Sequence, residues 1–279
     1  MTVTIIGTGL IGCSMAYRLK ETGFAEKIIG VDNNEQHLKT ALQLGWIDEA
    51  MSLDDAIGQS GLMIIAIPVD ATAVIIPAIL NKMDKQVLMD VGSTKGIICR
   101  SVAEDPKRGR YVATHPMWGT EKDGPEAVVK DAFKGRVAVV CEKERTDADA
   151  LLMVEQLYEN IGMQLVYMDA DMHDVHAAYV SHISHIASYA LSLTVLEKEK
   201  EEDTIFELAS GGFESTVRLA KSNPAMWVPI FMQNKENVLD VLNEHIAQLR
   251  KIKSCLEKEN FAYLKELIEN ANKIKRILK

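Results

Sequence analysis

A chain of 279 residues exceeds one ordinary domain, and at about 150 residues per domain its length predicts two. The 47% apolar and 25% charged residues are the balance of a globular protein with a sizeable core, which excludes a disordered chain. A formal charge of −9 repels phosphate backbones and anionic lipid, so neither nucleic acid nor a membrane is an expected partner, and four scattered cysteines exclude a disulfide framework and a zinc site.

No basic n-region or small-residue cleavage site precedes the first strand-like run, and apolar runs such as residues 62–67 fall far short of the roughly 20 residues that span a bilayer. The expectation is a cytoplasmic protein whose Cys13, Cys99, Cys141 and Cys255 are reduced and mostly buried. Cations cluster only at Lys273, Lys275, Arg276 and Lys279, which reads as a solvated helix end.

In chain order, β-rich apolar runs at residues 3–6, 27–31, 62–67, 86–91, 110–113, 136–141 and 164–167 alternate with amphipathic stretches. That alternation predicts βαβ units and a mostly parallel sheet of the Rossmann type over residues 1–169. Helical periodicity dominates residues 170–279, predicting an all-helical second domain. Its first helix, about residues 171–198, would run some 40 Å at roughly 1.5 Å per residue, too long for one small domain to cover. A partner subunit is the simplest cover, which predicts a homodimer. No internal repeat or low-complexity linker interrupts the chain.

The first strand-like run leads into Gly7-Thr8-Gly9-Leu10-Ile11-Gly12 and a helix-forming run, the dinucleotide fingerprint in its proper context. Gly7 permits the tight turn, Gly9 lets the backbone approach a pyrophosphate, and Gly12 lets helix and strand pack closely. The diphosphate of a bound dinucleotide then lies on a helix N-terminus, near Leu10 and Ile11. Asp32, twenty residues beyond Gly12, ends the second strand; a carboxylate there accepts hydrogen bonds from ribose hydroxyls and repels a 2′-phosphate, which points to NAD. Ile67 and Pro68, after the 62–67 run, edge the same site by position.

Two later strand ends carry polar residues, Ser93 and His115, and in an open parallel sheet ligands bind beyond such ends. Histidine suits general-base work near neutral pH, so His115 is a candidate base beside a hydride acceptor; tying down the loop before Pro116 is the bland alternative. Four histidines, His173, His176, His182 and His185, fall within thirteen residues. At roughly 100° per residue an uninterrupted helix sets His182 and His185 opposite the other two, which argues against a four-ligand metal site. Ser181, His185 and Ser188 instead share a polar stripe, either a ligand wall or a satisfied helix interface. Finally Gly211-Gly212 precedes a short helix bearing Arg218, whose planar fork matches a carboxylate, although surface ion pairing is the commoner use.

Taken in order behind the fingerprint, the strand-end Asp90-Val91-Gly92-Ser93-Thr94-Lys95, the segment His115-Pro116-Met117-Trp118-Gly119-Thr120-Glu121-Lys122, the Ser181-His182-xx-His185 helix and the Gly211 to Trp227 stretch resemble prephenate and arogenate dehydrogenases, over residues 1 to about 230. The resemblance implies NAD as cofactor, no metal, a homodimer through the helical domain, and oxidative decarboxylation of prephenate to 4-hydroxyphenylpyruvate in tyrosine biosynthesis. Arogenate, oxidised to tyrosine, is the alternative substrate.

Carried over residue by residue, His115 takes the ring hydroxyl proton with Ser93 hydrogen-bonded at the same locus. His185, Ser181, Thr120 and Gly212 line the substrate pocket, and Arg218 binds a substrate carboxylate. The chain departs from the family pattern at Trp118, where an alanine is common, and at Ser215, often acidic in relatives. The loss of an acid leans toward prephenate, with Glu214 adjacent. The chain also ends without room for a further regulatory domain, so tyrosine feedback is expected at the substrate site. A β-hydroxyacid dehydrogenase would need a lysine on the long helix, and residues 171–197 contain none. A non-catalytic NAD-binding dimer, with His115 and Arg218 structural, is the rival from another class.

Overall fold

The computed structural model describes residues 1–200 and 204–277. Lys279 of the cationic tail lies outside the described residues, while Lys273, Lys275 and Arg276 are exposed on a short helical turn. One compact unit spans Met1–Asn234 and a second begins at Lys235.

In the first unit the strands are β1 (Thr2–Ile6), β2 (Lys27–Val31), β3 (Glu49–Ala50), β4 (Leu62–Ile65), β5 (Val87–Asp90), β6 (Tyr111–Pro116), β7 (Val137–Cys141) and β8 (Gln164–Met168). They form a single sheet in the order β3-β2-β1-β4-β5-β6-β7-β8. All pairings are parallel except β6 with β7, where His115 lies opposite Val139. The strands read as continuous apolar runs because the sheet is covered on both faces. Val3, Ile5, Leu62 and Ile64 bury on one side, and Ile6, Met63 and Ile65 on the other.

The helices of this unit are α1 (Leu10–Glu21), α2 (Glu35–Gln43), α3 (Leu53–Ile57), α4 (Val69–Lys82), α5 (Gly96–Ser101), α6 (Ala148–Asn160), α7 (Ala170–Ala177), α8 (Ile183–Glu199), α9 (Gly211–Val217) and α10 (Pro224–Gln233). All seven expected strands are present. The two-residue β3 is an addition, exposed and too short to show a period. From residue 170 onward the described chain is helical, giving the expected α/β Rossmann domain followed by an all-α region. The compact unit nevertheless continues to Asn234, because Trp227 and Ile230 of α10 insert into the same apolar cluster as Met63 and Ile65 of the sheet.

The helix expected over residues 171–198 exists but is not uniform. Between α7 and α8, Ala178–His182 form a π-helical turn. Such a turn holds about one extra residue and so rotates everything after it by roughly a quarter-turn relative to a continuous α-helix. The expected opposition of the histidines is thereby undone: His173, His182 and His185 are all buried, and only His176 is exposed. On α8, Leu193 and Leu196 remain exposed, as an uncovered long helix requires.

The second unit is the pair α11 (Lys235–Glu257) and α12 (Phe261–Ala271). Glu259 adopts a left-handed φ of 53° at the turn, and the Asn260 side chain caps α12 by accepting from Tyr263 N. Leu249, Ile252, Leu256, Phe261 and Ile268 are exposed along it. Among the described residues no helix is long and apolar enough to cross a membrane.

Candidate active site

At the C-terminal end of β1 the glycine loop is built for close approach. Gly7 has φ +100°, and a Cβ there would lie 2.4 Å from Ala66 O and 2.8 Å from Ile67 Cγ2. A Cβ on Gly12 would lie 2.0 Å from Gly7 O, so only glycine lets α1 start this near the strand. Gly9 is the N-cap residue of α1 with open space beside it; no side chain caps the helix and its first turn holds no acid. The first amides of α1, at Leu10, Ile11 and Gly12, are thus left for an anionic ligand, and the residues fit a dinucleotide diphosphate. Asp32 stands at the end of β2, where its carboxylate accepts from the amide and hydroxyl of Thr8. Ile67 touches the glycine loop and Pro68 is exposed at the start of α4.

Ser93 is half-buried in the turn after β5. That turn is fixed by Asp90, fully buried, which accepts from Tyr111 OH at 2.6 Å and Gly92 N at 2.8 Å and pairs with the equally buried Lys95. A buried ion pair persists only with further hydrogen bonds around it, and on the carboxylate side Tyr111 and Gly92 supply them. His115 lies near the end of β6 and is buried; its Nδ1 lies 2.8 Å from His173 Nε2. Burial, with His173, Lys95 and His182 nearby, pushes the His115 pKa well below the usual histidine value and leaves the ring neutral.

The α8 residues divide. His185 is stacked on Trp227, with ring centroids 3.4 Å apart and planes at 28°, and its Nδ1 donates to Ser181 O. Burial lowers the pKa of both His185 and His182 to about 4. Ser181 is half-buried. Ser188 does not join a ligand wall: it donates to Thr216 O and accepts from Ala220 N, tying α8 to the segment after α9. Among the described residues, the buried His182 Nε2 and Trp227 Nε1 have no hydrogen-bond partner.

Arg218, half-exposed, pairs with Glu121 at 2.6 Å. The Glu121 carboxyl is held below the usual range by its own backbone amide and then by Arg218. Thr120, two residues before Lys122, accepts from the Lys122 amide at 3.2 Å. Gly211 and Gly212 lie inside the first turn of α9, where a Cβ would meet open space, so the glycine pair serves no close approach among the described residues. Trp118, which departs from the family pattern, is partly buried and packs edge-on against Phe133 of the core, with ring centroids 5.4 Å apart. His173, Asp174 and Glu121 were missed as site residues. His173 was read only as one of the four clustered histidines, Asp174 follows it, and Glu121 stood in the quoted HPMxGTEK segment, but nothing local marks which residues they meet.

A doubly covered parallel sheet with an uncapped glycine-loop helix, followed by helices that bring buried imidazoles to its strand ends, defines a dinucleotide-dependent dehydrogenase with a helical second region. Family models described as the nucleotide-binding domain and the dimerization domain of prephenate dehydrogenase match residues 15–167 and 169–270. The chain is 31% identical to a prephenate dehydrogenase of Bacillus subtilis, covering 95% of this chain and 73% of that protein. It is 29% identical to a cyclohexadienyl dehydrogenase of Zymomonas mobilis, covering 99% and 96%. A crystal structure of prephenate dehydrogenase from Aquifex aeolicus, in complex with hydroxyphenyl propionate and NAD+, superposes with a TM-score of 0.87 at 30% identity, covering 99% of this chain and 97% of that one. The chain belongs to the prephenate dehydrogenase family, and as such it is an NAD-dependent oxidoreductase.

Proposed function

We propose that this enzyme oxidises prephenate to 4-hydroxyphenylpyruvate and CO₂, with His115 as the base. The observation that carries the assignment is a neutral, buried imidazole at the C-terminal end of β6, Nδ1 engaged by His173 and Nε2 left to accept. NAD, when bound at the glycine loop, would supply the acceptor for the hydride that leaves the ring carbon bearing the hydroxyl. His115 removes the hydroxyl proton as the C–H hydride departs and a ring carbonyl forms. Loss of the ring carboxylate as CO₂ then returns an electron pair through the ring to that oxygen. The imidazolium gives the proton back, and the phenol of the product results. Aromatisation provides the driving force, so the chain chiefly orients substrate and cofactor and handles one proton.

Gly7, Gly9, Leu10, Ile11, Gly12, Asp32, Ile67 and Pro68 form the NAD site in this reading. Ser93, Ser181, His185, Thr120, Gly212 and Arg218 form the substrate site, Arg218 taking a carboxylate. Residues 1–169 serve the cofactor and 170–279 the substrate and a homodimer contact, for which the exposed leucines of α8 and apolar side chains of α11 and α12 supply surface. Four buried free cysteines and an NAD requirement both suit the cytoplasm.

Arogenate is a second reading, favoured by Glu121: a carboxylate beside Arg218 offers a partner for an ammonium as well as a carboxylate. The test is NADH formation at 340 nm with prephenate, arogenate and a panel of 3-hydroxy acids. Turnover of prephenate above arogenate is expected. Turnover of neither overturns the assignment.

A further inference from the structure

Asp174, one residue beyond His173 on α7, is buried and has three donors on its two oxygens. Oδ1 accepts from Lys95 N at 2.7 Å and faces His173 Nδ1 at 2.9 Å, while Oδ2 accepts from Gly96 N at 2.8 Å. An ionised carboxylate only accepts, so His173 carries its proton on Nδ1 and presents Nε2 as a lone pair. His115 Nδ1, 2.8 Å from that nitrogen, is then the donor, and the lone pair of His115 is on Nε2. The chain of acceptors has only one consistent direction.

We propose that His173 and Asp174 are positioning residues that hold His115 in its Nδ1–H tautomer, so that Nε2 is the atom that receives the substrate proton. The inference rests on the reaction proposed above and names the device that readies its base. Asp174 also holds the first amides of α5, directly after the turn that carries Ser93, so one carboxylate fixes both strand-end groups relative to each other. When His115 becomes an imidazolium, its Nδ1–H already points at a neutral acceptor backed by a carboxylate, and no group need turn to meet the new charge. Around His115 the charged and titratable groups are His173, Lys95 and His182; around His173 they are Asp174, Lys95, Asp90, His182 and His115 itself. The carboxylate of Asp174 reaches His115 only through the acceptor that His173 presents.

The test uses the full chain with Asp174→Asn and His173→Gln. An asparagine has one oxygen where the carboxylate has two: with that oxygen on the Gly96 amide, its amino group takes the Oδ1 place, leaves the Lys95 amide without its acceptor and offers an N–H to His173, which reverses both tautomers. kcat should fall by about 10²–10⁴, as when a base is held in the wrong tautomer, with KM for NAD unchanged within about twofold. His173→Gln, whose amide oxygen restores an acceptor, should lose less. Nitrogen NMR of the enzyme labelled at histidine, assigned with His115→Asn, should place the proton of His115 on Nδ1 in the wild type and on Nε2 in Asp174→Asn. A wild-type His115 with its proton on Nε2, a lowered kcat with the tautomer unchanged in that variant, or a reversed tautomer with full kcat overturns the proposal. A wild type inactive on both cyclohexadienols overturns the functional reading instead, and the nitrogen signals still decide the tautomer.

Discussion

Asp32 Oδ2 receives both the amide and the hydroxyl of Thr8, at 2.7 and 2.9 Å, so the acid that ends β2 is clamped by the glycine loop itself. Its Oδ1 accepts the Asn34 amide at 2.9 Å. A carboxylate held from three sides does not swing aside for a 2′-phosphate, and NAD should exceed NADP in kcat/KM by a wide margin. Asp32→Ser should narrow the gap by removing the repulsion while keeping a hydroxyl for the ribose. Thr8→Val, which removes one clamp and keeps the charge, should narrow it less. Equal or better kcat/KM with NADP in the wild type would contradict this account.

His115→Asn should lower kcat by about 10²–10⁴, the usual contribution of a positioned base, with KM for the substrate little altered. Because burial depresses the His115 pKa, the ring stays neutral well below pH 6.5. The acid limb of log kcat/KM should therefore lie on the acid side of an ordinary histidine, and it should vanish in the variant. A variant with near-normal kcat at neutral pH would show that another group takes the proton.

The sequence revealed what is local. Seven of the eight strands carry apolar runs, and the glycine spacing from Gly7 to Gly12 marks a turn that backbone geometry demands. What it concealed is created by topology. His115 and His173 are 58 residues apart and Arg218 and Glu121 are 97 apart, and no periodicity within one element brings such pairs together. The π turn at Ala178–His182 has no residue signature of its own, yet it decides which histidines turn inward. The apolar insertion of Trp227 and Ile230 is likewise invisible in α10 alone, because any amphipathic helix has such a face.

Stability should depend on pH through His182 and His185. Burial lowers both to about 4, so the unfolded chain binds more protons than the folded one between pH 6.5 and about 4. Stability is complete above about pH 6.5 and is lost as pH falls through that window, with no further loss from these two groups below it. The melting temperature of the purified enzyme should drop by several degrees from pH 7 to pH 4.5, and His182→Gln should flatten the slope. An equally steep slope in that variant would assign the acid sensitivity to other groups.

Arg218 and Glu121 set the last expectation. Their ion pair is half-exposed at the guanidinium and 21% exposed at the carboxylate, so solvent screens it and its own contribution to folding is small. Its importance lies in binding. Prephenate carries two carboxylates, the chain carries a net −9, and a fixed cation must offset that repulsion locally. Arg218→Ala should raise KM for prephenate about tenfold to a hundredfold, the lower part of the range for truncating one partner of a charge-assisted pair, because water reaches the site. KM for NAD should stay nearly constant, and Arg218→Lys should recover only part of the loss, since a point charge does not reproduce the two-point fork. Glu121→Gln separates the two candidate substrates: an ammonium loses its partner while a keto acid loses only a repelling neighbour. Arogenate turnover should fall more than prephenate turnover. If Arg218→Ala keeps its substrate KM and instead melts at a lower temperature, the pair is structural and the carboxylate of the substrate is held elsewhere.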